Sequence, residues 1–296
     1  MIVENQENLK VHFAGAESLN TFAPLKAGGA DYCLFTVFPF ICGSVGIKGQ
    51  SKNIKVGVSM TDLLYKNYKH CIMDSGLFTL MFGSHKGEKS EEYIEKWYAA
   101  LVNFVKTTKY KGTVVEVDCQ KVLGCEKAWE FRRRMKKDLP NNRQINVFHK
   151  EDGRKGLDEM IEFSDYIAIS VPELRFMGQK KYVQNLAYYI KYKKPSIDIH
   201  LLGCTELGLL KKLKFCSSSD STSWNSCVRY GDVLLRNKTK GHINNLKDSA
   251  HDIFKEKLNK YYRVINKTKP SRRDTILAFQ VSELLALYSQ SAGSQN

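Results

Sequence analysis

The sequence lacks several features that assign a protein to a class at once. Among its 296 residues no apolar run approaches the roughly 20 residues that a membrane helix needs, and the N-terminal stretch MIVENQENLK is polar. Neither a membrane span nor a signal peptide is therefore predicted, and a cytoplasmic protein is expected. The chain also has no internal repeat and no low-complexity linker.

Closely spaced cysteine pairs are missing from the sequence. The eight cysteines are scattered and form no C-x-x-C pair, so they are predicted to be free thiols and not disulfides or zinc ligands.

Acidic residues are fewer than basic ones: they number 31 against 46 Lys and Arg, which gives a formal net charge of +15. This excess predicts a polyanionic partner, usually nucleic acid, and a generally basic surface is the alternative.

The chain does contain a regular alternation of short β-rich segments and amphipathic helices. The predicted strands are residues 10–15, 32–38, 70–74, 112–118, 144–149, 165–170, 197–203 and 213–220. Several are almost continuously apolar, as strands covered on both faces are. The alternation predicts an α/β fold, a (β/α)8 TIM-type barrel over residues 1–230, with an open doubly wound sheet as the alternative.

The last quarter of the sequence has a different composition. Residues 231–296 are basic with interleaved aromatics, and Ser271-x-x-Asp274 is a capping pattern, so a helical extension packed on the barrel is expected. Its candidates for phosphate contacts are Lys255, Lys257, Arg263, Arg272 and Arg273. The basic run FRRRMKK at 131–137 is predicted instead to be a solvated outer helix face.

Three aspartates follow predicted strands: Asp74 in MDSG, Asp118 in VEVDCQ and Asp220 in SSSDS. The carboxyl ends of the strands form the active-site face of such a barrel, so we expect the three side chains on one rim. Helix capping, Mg²⁺ binding with phosphates, and cleavage of a glycosidic bond are all compatible with this group. Composition does not decide between them.

The segments MDSGLFTL, VEVDCQ and IHLLGCTELGLLKKLKFCSSSDSTSW resemble motifs of the tRNA-guanine transglycosylases. The ordered set VFHKED, DYIAIS, IHLLG and SSDSTSW is more similar to their DpdA-like relatives in bacteria and phages, which place 7-deazaguanines in DNA. The resemblance covers roughly residues 10–230. It implies a glycosyltransferase that exchanges guanine in DNA for a 7-deazaguanine base, without a cofactor, in the cytoplasm of a bacterium or of a phage's host.

The resemblance also implies roles for single residues. Asp220 is similar to the nucleophile that attacks C1′ of the target nucleoside, and Asp74 to the general acid/base. Asp118 is implied to accept hydrogen bonds from guanine N1–H and the exocyclic amine. Further contacts to the base or sugar are implied for Ser75, Gly76, Phe78, His149, Ser170, Gly203 and Trp224.

Several alternatives stay open. The same exchange on tRNA, of the queuine or preQ1 type, is one, and a nucleic-acid-binding barrel without catalysis is another. A metal-dependent hydrolase is a third, although few further His or carboxylate residues lie at the strand ends. The family's zinc motif is absent, because only Cys227 follows Asp220, so no metal is predicted. The sequence context of the target and any accessory protein are undetermined.

Overall fold

The alternating pattern folds into a barrel in the computed structural model, which describes residues 9–47, 54–77, 90–176, 180–245, 248–265 and 269–293. Strands β1 to β8 are Lys10–Ala14, Tyr32–Thr36, His70–Asp74, Thr113–Val115, Gln144–Phe148, Tyr166–Ser170, Asp198–Leu202 and Ser218–Ser221. Each pairs in parallel with the next, and β8 pairs with β1 with Asp220 opposite His12. This closed barrel confirms the predicted (β/α)8 architecture.

Helices lie between the strands and continue beyond them. Helices α1 to α11 are Leu19–Ala27, Phe38–Ile41, Ile54–Asn67, Glu91–Thr108, Gln120–Leu123, Cys125–Asp138, Gly153–Phe163, Val171–Phe176, Lys180–Lys193, Leu207–Lys212 and Ser226–Tyr230. After them come β9 (Asp232–Leu234), β10 (Lys240–His242), α12 (Asp248–Val264) and α13 (Arg272–Gly293). None of the helices in the described part of the chain has both the length and the hydropathy required to span a bilayer.

The eighth strand begins later than predicted. The apolar run 213–216 closes α10 and forms a turn, since the Leu213 amide donates to Leu209 and the Cys216 amide to Leu213. Both side chains are buried in the layer between strands and helices. Their apolar character therefore reflects packing of this turn, and the strand itself consists of Ser218–Ser221, which includes Asp220.

Apolar side chains inside the barrel separate its two ends. The inner cluster is Ala14, Leu34, Ile72, Val115, Ile145, Val147, Tyr166 and Ala168. Because side chains alternate along a strand, Asp74, two residues after Ile72, also points inward at the carboxyl end. His70, two residues before Ile72, points inward at the amino end. The interior is thus polar at both ends and apolar between them.

One arginine of the basic run at 131–137 is not solvated. Arg132 is 1% exposed and its Nε donates to Glu116 Oε2 at 2.8 Å and to Oε1 at 3.0 Å. Asn146 and the Val147 amide also donate to this carboxylate. For Arg132 the prediction of an outer face is wrong, because β4 supplies a buried acid that requires a partner.

The C-terminal helices pack against the first helix of the barrel. A Cβ on Gly28, which follows α1, would lie 2.6 Å from the Ala278 carbonyl of α13, so the two backbones are in close contact. The predicted cap at Ser271 is present, because the Ser271 amide donates to Asp274 Oδ2 and the Asp274 amide to Ser271 Oγ. Gln280 of α13 further bonds both backbone groups of Leu234 in β9.

Candidate active site at the carboxyl ends of the strands

Asp74 is the last residue of β3, where the chain turns sharply. Its Oδ2 accepts a hydrogen bond from the Gly76 amide at 3.0 Å. Gly76 has φ of +73°, and a Cβ there would lie 2.9 Å from Phe38 Cβ, so the turn requires glycine. Burial, together with the negative charge of Asp220, raises the pKa of Asp74 from 3.8 to about 6. Asp74 can therefore hold a proton close to neutral pH.

Asp220 lies in β8, and its side chain is anchored through one oxygen. Oδ1 accepts the Gly203 amide at 2.9 Å and lies 3.1 Å from His200 Nε2. Asp220 is 6% exposed, and its Oδ2 accepts no hydrogen bond from a described residue. One oxygen is thus fixed, while the other has no competing donor in the described part of the chain.

Gly203 holds this anchor in place. It has φ of +63°, and a Cβ there would lie 2.7 Å from Pro172 Cγ. A larger residue would therefore be strained and would displace the backbone that carries the amide. The glycine predicted to allow close approach to the ligand contacts the Asp220 carboxylate in this structure.

A third carboxylate, which the motifs did not indicate, belongs to the same end of the barrel. Glu17 follows β1 and accepts a hydrogen bond from the Thr36 amide at 3.4 Å. Burial raises the pKa of Glu17, and its charge also contributes to the raised pKa of Asp74. Its only sequence signal is its place just after a strand. We call Glu17, Asp74 and Asp220 the carboxyl-terminal mouth.

Asp118 and His149 form a direct pair on the neighbouring strand ends. His149 Nε2 lies 2.7 Å from Asp118 Oδ1. Burial lowers the pKa of His149, but the hydrogen bond to Asp118 and the charges of Asp118 and Glu173 outweigh it, so the pKa is raised. The two residues that the resemblance links to the base are therefore in contact, and the side chain of Asp118 is 29% exposed.

A cluster on this rim has donor atoms suited to a cation. One ligand atom each from His149, Glu151 and Glu173 lies within 4.8 Å of the others, and His149 Nδ1 has no hydrogen-bond partner among the described residues. Lys121 Nζ, however, lies 2.6 Å from Glu151 and 2.7 Å from Glu173. One ammonium group already bridges the two carboxylates, so a metal ion there would have to displace it.

The remaining predicted base and sugar contacts lie in different environments. Ser75 is buried, and its carbonyl accepts the Trp97 ring N–H. Ser170 is half-buried at the end of β6. Trp224 is 1% exposed and donates to the Ala14 carbonyl at 2.8 Å, so its ring is part of the core and offers no free face here. Phe78 lies outside the described residues.

The predicted phosphate-contacting residues are all exposed. Lys255, Lys257 and Arg263 lie on α12, and Arg272 and Arg273 begin α13. Phe254, Leu258 and Tyr262 form the buried face of α12, which turns the basic side chains towards solvent. Their exposure is compatible with phosphate contacts and equally with a solubilising surface.

His200, in β7, is a buried residue that contacts Asp220. Its Nδ1 lies 2.5 Å from Ser218 Oγ, which in turn bonds the Tyr166 hydroxyl. Since its Nε2 faces Asp220, a hydrogen-bonded column of Asp220, His200, Ser218 and Tyr166 runs into the barrel. A histidine inside a strand is ordinarily a core residue. Only its contact with Asp220 on the neighbouring strand indicates that His200 belongs to the site.

Comparison of the sequence with models of protein families and with curated proteins gives no match. The chemistry of the carboxyl-terminal mouth therefore has to be argued from its own geometry. That geometry is one carboxylate with an oxygen that accepts no hydrogen bond from the described residues, and a second carboxyl group that feels its charge and has a pKa of about 6.

Proposed function

We propose that this protein is a guanine transglycosylase that replaces guanine in DNA with a 7-deazaguanine base. One observation carries the proposal: Asp74 and Asp220 share one mouth, and the charge of Asp220 helps to raise the pKa of Asp74 to about 6. A displacement through a covalent glycosyl-enzyme requires one carboxyl group as the nucleophile and a second one that can carry a proton. The net charge of +15 favours a nucleic acid as the carrier of the sugar.

In the first half-reaction, Asp220 Oδ2 attacks C1′ of the target nucleotide. The bond from C1′ to the base nitrogen breaks, the electron pair leaves with guanine, and Asp74 donates the proton that neutralises it. The Gly203 amide and His200 hold Oδ1, so the attacking oxygen keeps its direction. The product is an ester between Asp220 and the sugar.

The second half-reaction reverses these bonds with a new base. Asp74 accepts a proton from the incoming 7-deazaguanine, whose nitrogen attacks C1′ and releases the Asp220 carboxylate. One glycosidic bond replaces another, so no redox cofactor and no nucleotide energy enters the balance. Asp118, held by His149, offers its second oxygen to the donor edge of the base.

A target guanine in a duplex has to leave the base stack, which costs a few kcal/mol. The exposed cations of α12 and α13 are the candidates to hold the phosphates on either side. The same base exchange on tRNA would differ only in the nucleic acid that contains the target guanine. Since the mechanism would be the same, an experiment has to distinguish the two substrates.

The test is base exchange followed by nucleoside mass spectrometry. The protein is incubated with guanine-containing DNA or with tRNA and an isotopically labelled 7-deazaguanine, and the digested nucleosides are analysed. We expect label in DNA, and a loss of about 10⁴-fold or more in Asp220→Asn. The matched control is Asp165→Asn, because the Asp165 side chain is 74% exposed before β6, away from the mouth.

Label incorporated at an undiminished rate by Asp220→Asn would remove Asp220 from the nucleophile role. Label found only in tRNA would retain the mechanism and correct the substrate. No label in either nucleic acid, with the protein folded, would contradict the proposed function.

A further inference from the structure

A cavity lies at the end of the barrel opposite to the carboxylates. Its volume is about 490 Å³, within the range of roughly 300–1,000 Å³ typical of small-molecule sites. Its lining includes the first residues of six strands, namely Lys10, Tyr32, His70, Tyr166, Asp198 and Ser218. We call this cavity the amino-terminal mouth.

Cations outnumber anions in its lining. Lys10, Lys69 and Arg143 line the cavity together with a single carboxylate, that of Asp198. Asp198 is already engaged by Arg143 and by the Ser217 hydroxyl. Lys69 pairs with Asp31 at 2.7 Å, outside the lining. The cavity therefore retains positive charge after its own ion pairs are formed.

Two of its polar groups have neither an ion pair nor a hydrogen bond to a side chain in the described part of the chain. Lys10 forms no ion pair with any described carboxylate, and its ammonium lies 5.5 Å from the centre of the Tyr32 ring. The Tyr32 hydroxyl likewise makes no hydrogen bond to a described residue. An ammonium and a phenol next to each other are donors suited to an anionic oxygen.

Neutral histidines form the floor of the cavity. His12 Nε2 lies 3.0 Å from His70 Nδ1, and His70 Nε2 lies 2.9 Å from Thr113 Oγ1. Burial and the neighbouring charges, including Lys10 and Arg143 on His70, lower the pKa of both imidazoles. The positive charges of Lys10 and Arg143, which add to burial in lowering the pKa of His70, are also charges that attract an anion.

We propose that the amino-terminal mouth binds a small phosphate-bearing molecule. Lys10 and Arg143 would contact the phosphate oxygens, and Tyr32 would donate to the same group. Since the cavity exceeds the size of a bare phosphate ion, the remaining volume fits a group as large as a pentose. Tyr166 and Phe215, which also line it, supply apolar surface for that group.

The site is physically joined to the carboxyl-terminal mouth. Ser218 lines the cavity and bonds His200, which bonds Asp220. A ligand in contact with Ser218 is therefore two hydrogen bonds from Asp220. Binding itself does not depend on the proposed base exchange, so failure of one leaves the other standing.

The test is calorimetric titration of the intact protein with inorganic phosphate, ribose 5-phosphate and, as a neutral control, ribose. We expect saturable binding of ribose 5-phosphate, weaker binding of phosphate and none of ribose. Lys10→Gln should weaken ribose 5-phosphate binding about tenfold, the effect of losing one charge-assisted hydrogen bond. Tyr32→Phe should weaken it less and serves as a second variant if Lys10→Gln is poorly folded.

Lys106→Gln is the matched control, because it removes the same charge from an exposed position on α4, to which no binding role is assigned. Equal weakening by Lys106→Gln and Lys10→Gln would show only non-specific attraction to a basic protein and would overturn the proposal. Absence of saturable binding of either phosphate compound by the folded protein would also overturn it.

Discussion

At the carboxyl ends of the strands, burial and, to a smaller extent, the like charges of Asp220 and Glu17 raise the pKa of Asp74 to about 6. At the amino ends, burial and then the positive charges of Lys10 and Arg143 lower the pKa of His70. Each mouth thus combines burial with neighbouring charges of one sign, and both favour the neutral form, a protonated acid at one end and an unprotonated imidazole at the other. The difference shows how one barrel keeps two polar ends with opposite ligand preferences.

The two mouths also differ in how they are linked to the rest of the interior. Apolar side chains fill most of the space between them. The hydrogen-bonded column of Asp220, His200, Ser218 and Tyr166 crosses this layer on one side of the barrel. Substitutions in one mouth, in the other mouth or in the column between them are therefore expected to have separable effects on activity and binding.

After the loss expected for Asp220→Asn, the next largest effect is expected from breaking the acid pair with Asp74→Asn. An amide at this position neither donates nor accepts the catalytic proton, so base exchange should fall about 10²–10⁴-fold. Exchange per folded protein is measured at neutral pH, with Asp165→Asn as the control. Exchange that persists at the wild-type rate would remove Asp74 from the acid/base role.

The same substitution should stabilise the fold at a pH above the raised pKa of Asp74, where the wild-type protein carries a buried charge. The folded protein binds the Asp74 proton more tightly than the unfolded chain, so this group's contribution to stability is greatest below about pH 4 and declines as pH rises through 6. Asp74→Asn should raise the free energy of unfolding by about 1–2 kcal/mol at pH 8 and by little at pH 4. Urea unfolding at both pH values measures this, and an equal gain at both would contradict it.

Cutting the column is expected to have a smaller effect. His200→Leu removes the contact to Asp220 Oδ1 and the contact to Ser218, and we expect the turnover rate to fall about 10²-fold through misdirection of Asp220. His200→Gln retains a polar group and should recover part of the rate. A loss of thermal stability with unchanged turnover per folded protein would assign His200 a purely structural role.

The sequence predicts the barrel well because the strands are short apolar runs at regular spacing. The positions of Asp74 at the end of β3 and of Asp220 near the end of β8 are also predictable, since each lies in a motif at the carboxyl end of a predicted strand. Glu17 is not, because a loop glutamate three residues after β1 has no pattern of its own. His200 and Arg132 are missed for a related reason: the carboxylates that give them a role, Asp220 and Glu116, become their neighbours only in the folded structure.

Trp224 shows the opposite error. Its position after Asp220 indicates an aromatic at the site, yet the ring packs edge-on to Phe13 and its N–H donates to the Ala14 carbonyl. Composition near a catalytic residue does not reveal the direction of a side chain in a loop. The start of β8 is missed similarly, because a strand made of Ser218–Ser221 has no apolar signal.

The central claim is that Asp74 and Asp220 act on each other across one mouth. The most direct measurement is the pKa of the Asp74 carboxyl by ¹³C NMR in the wild-type protein and in Asp220→Asn. We predict a value of about 6 in the wild type, and a lower value in the variant, which still exceeds 3.8 because burial remains. A wild-type value at 3.8, or one that Asp220→Asn leaves unchanged, would contradict the claim.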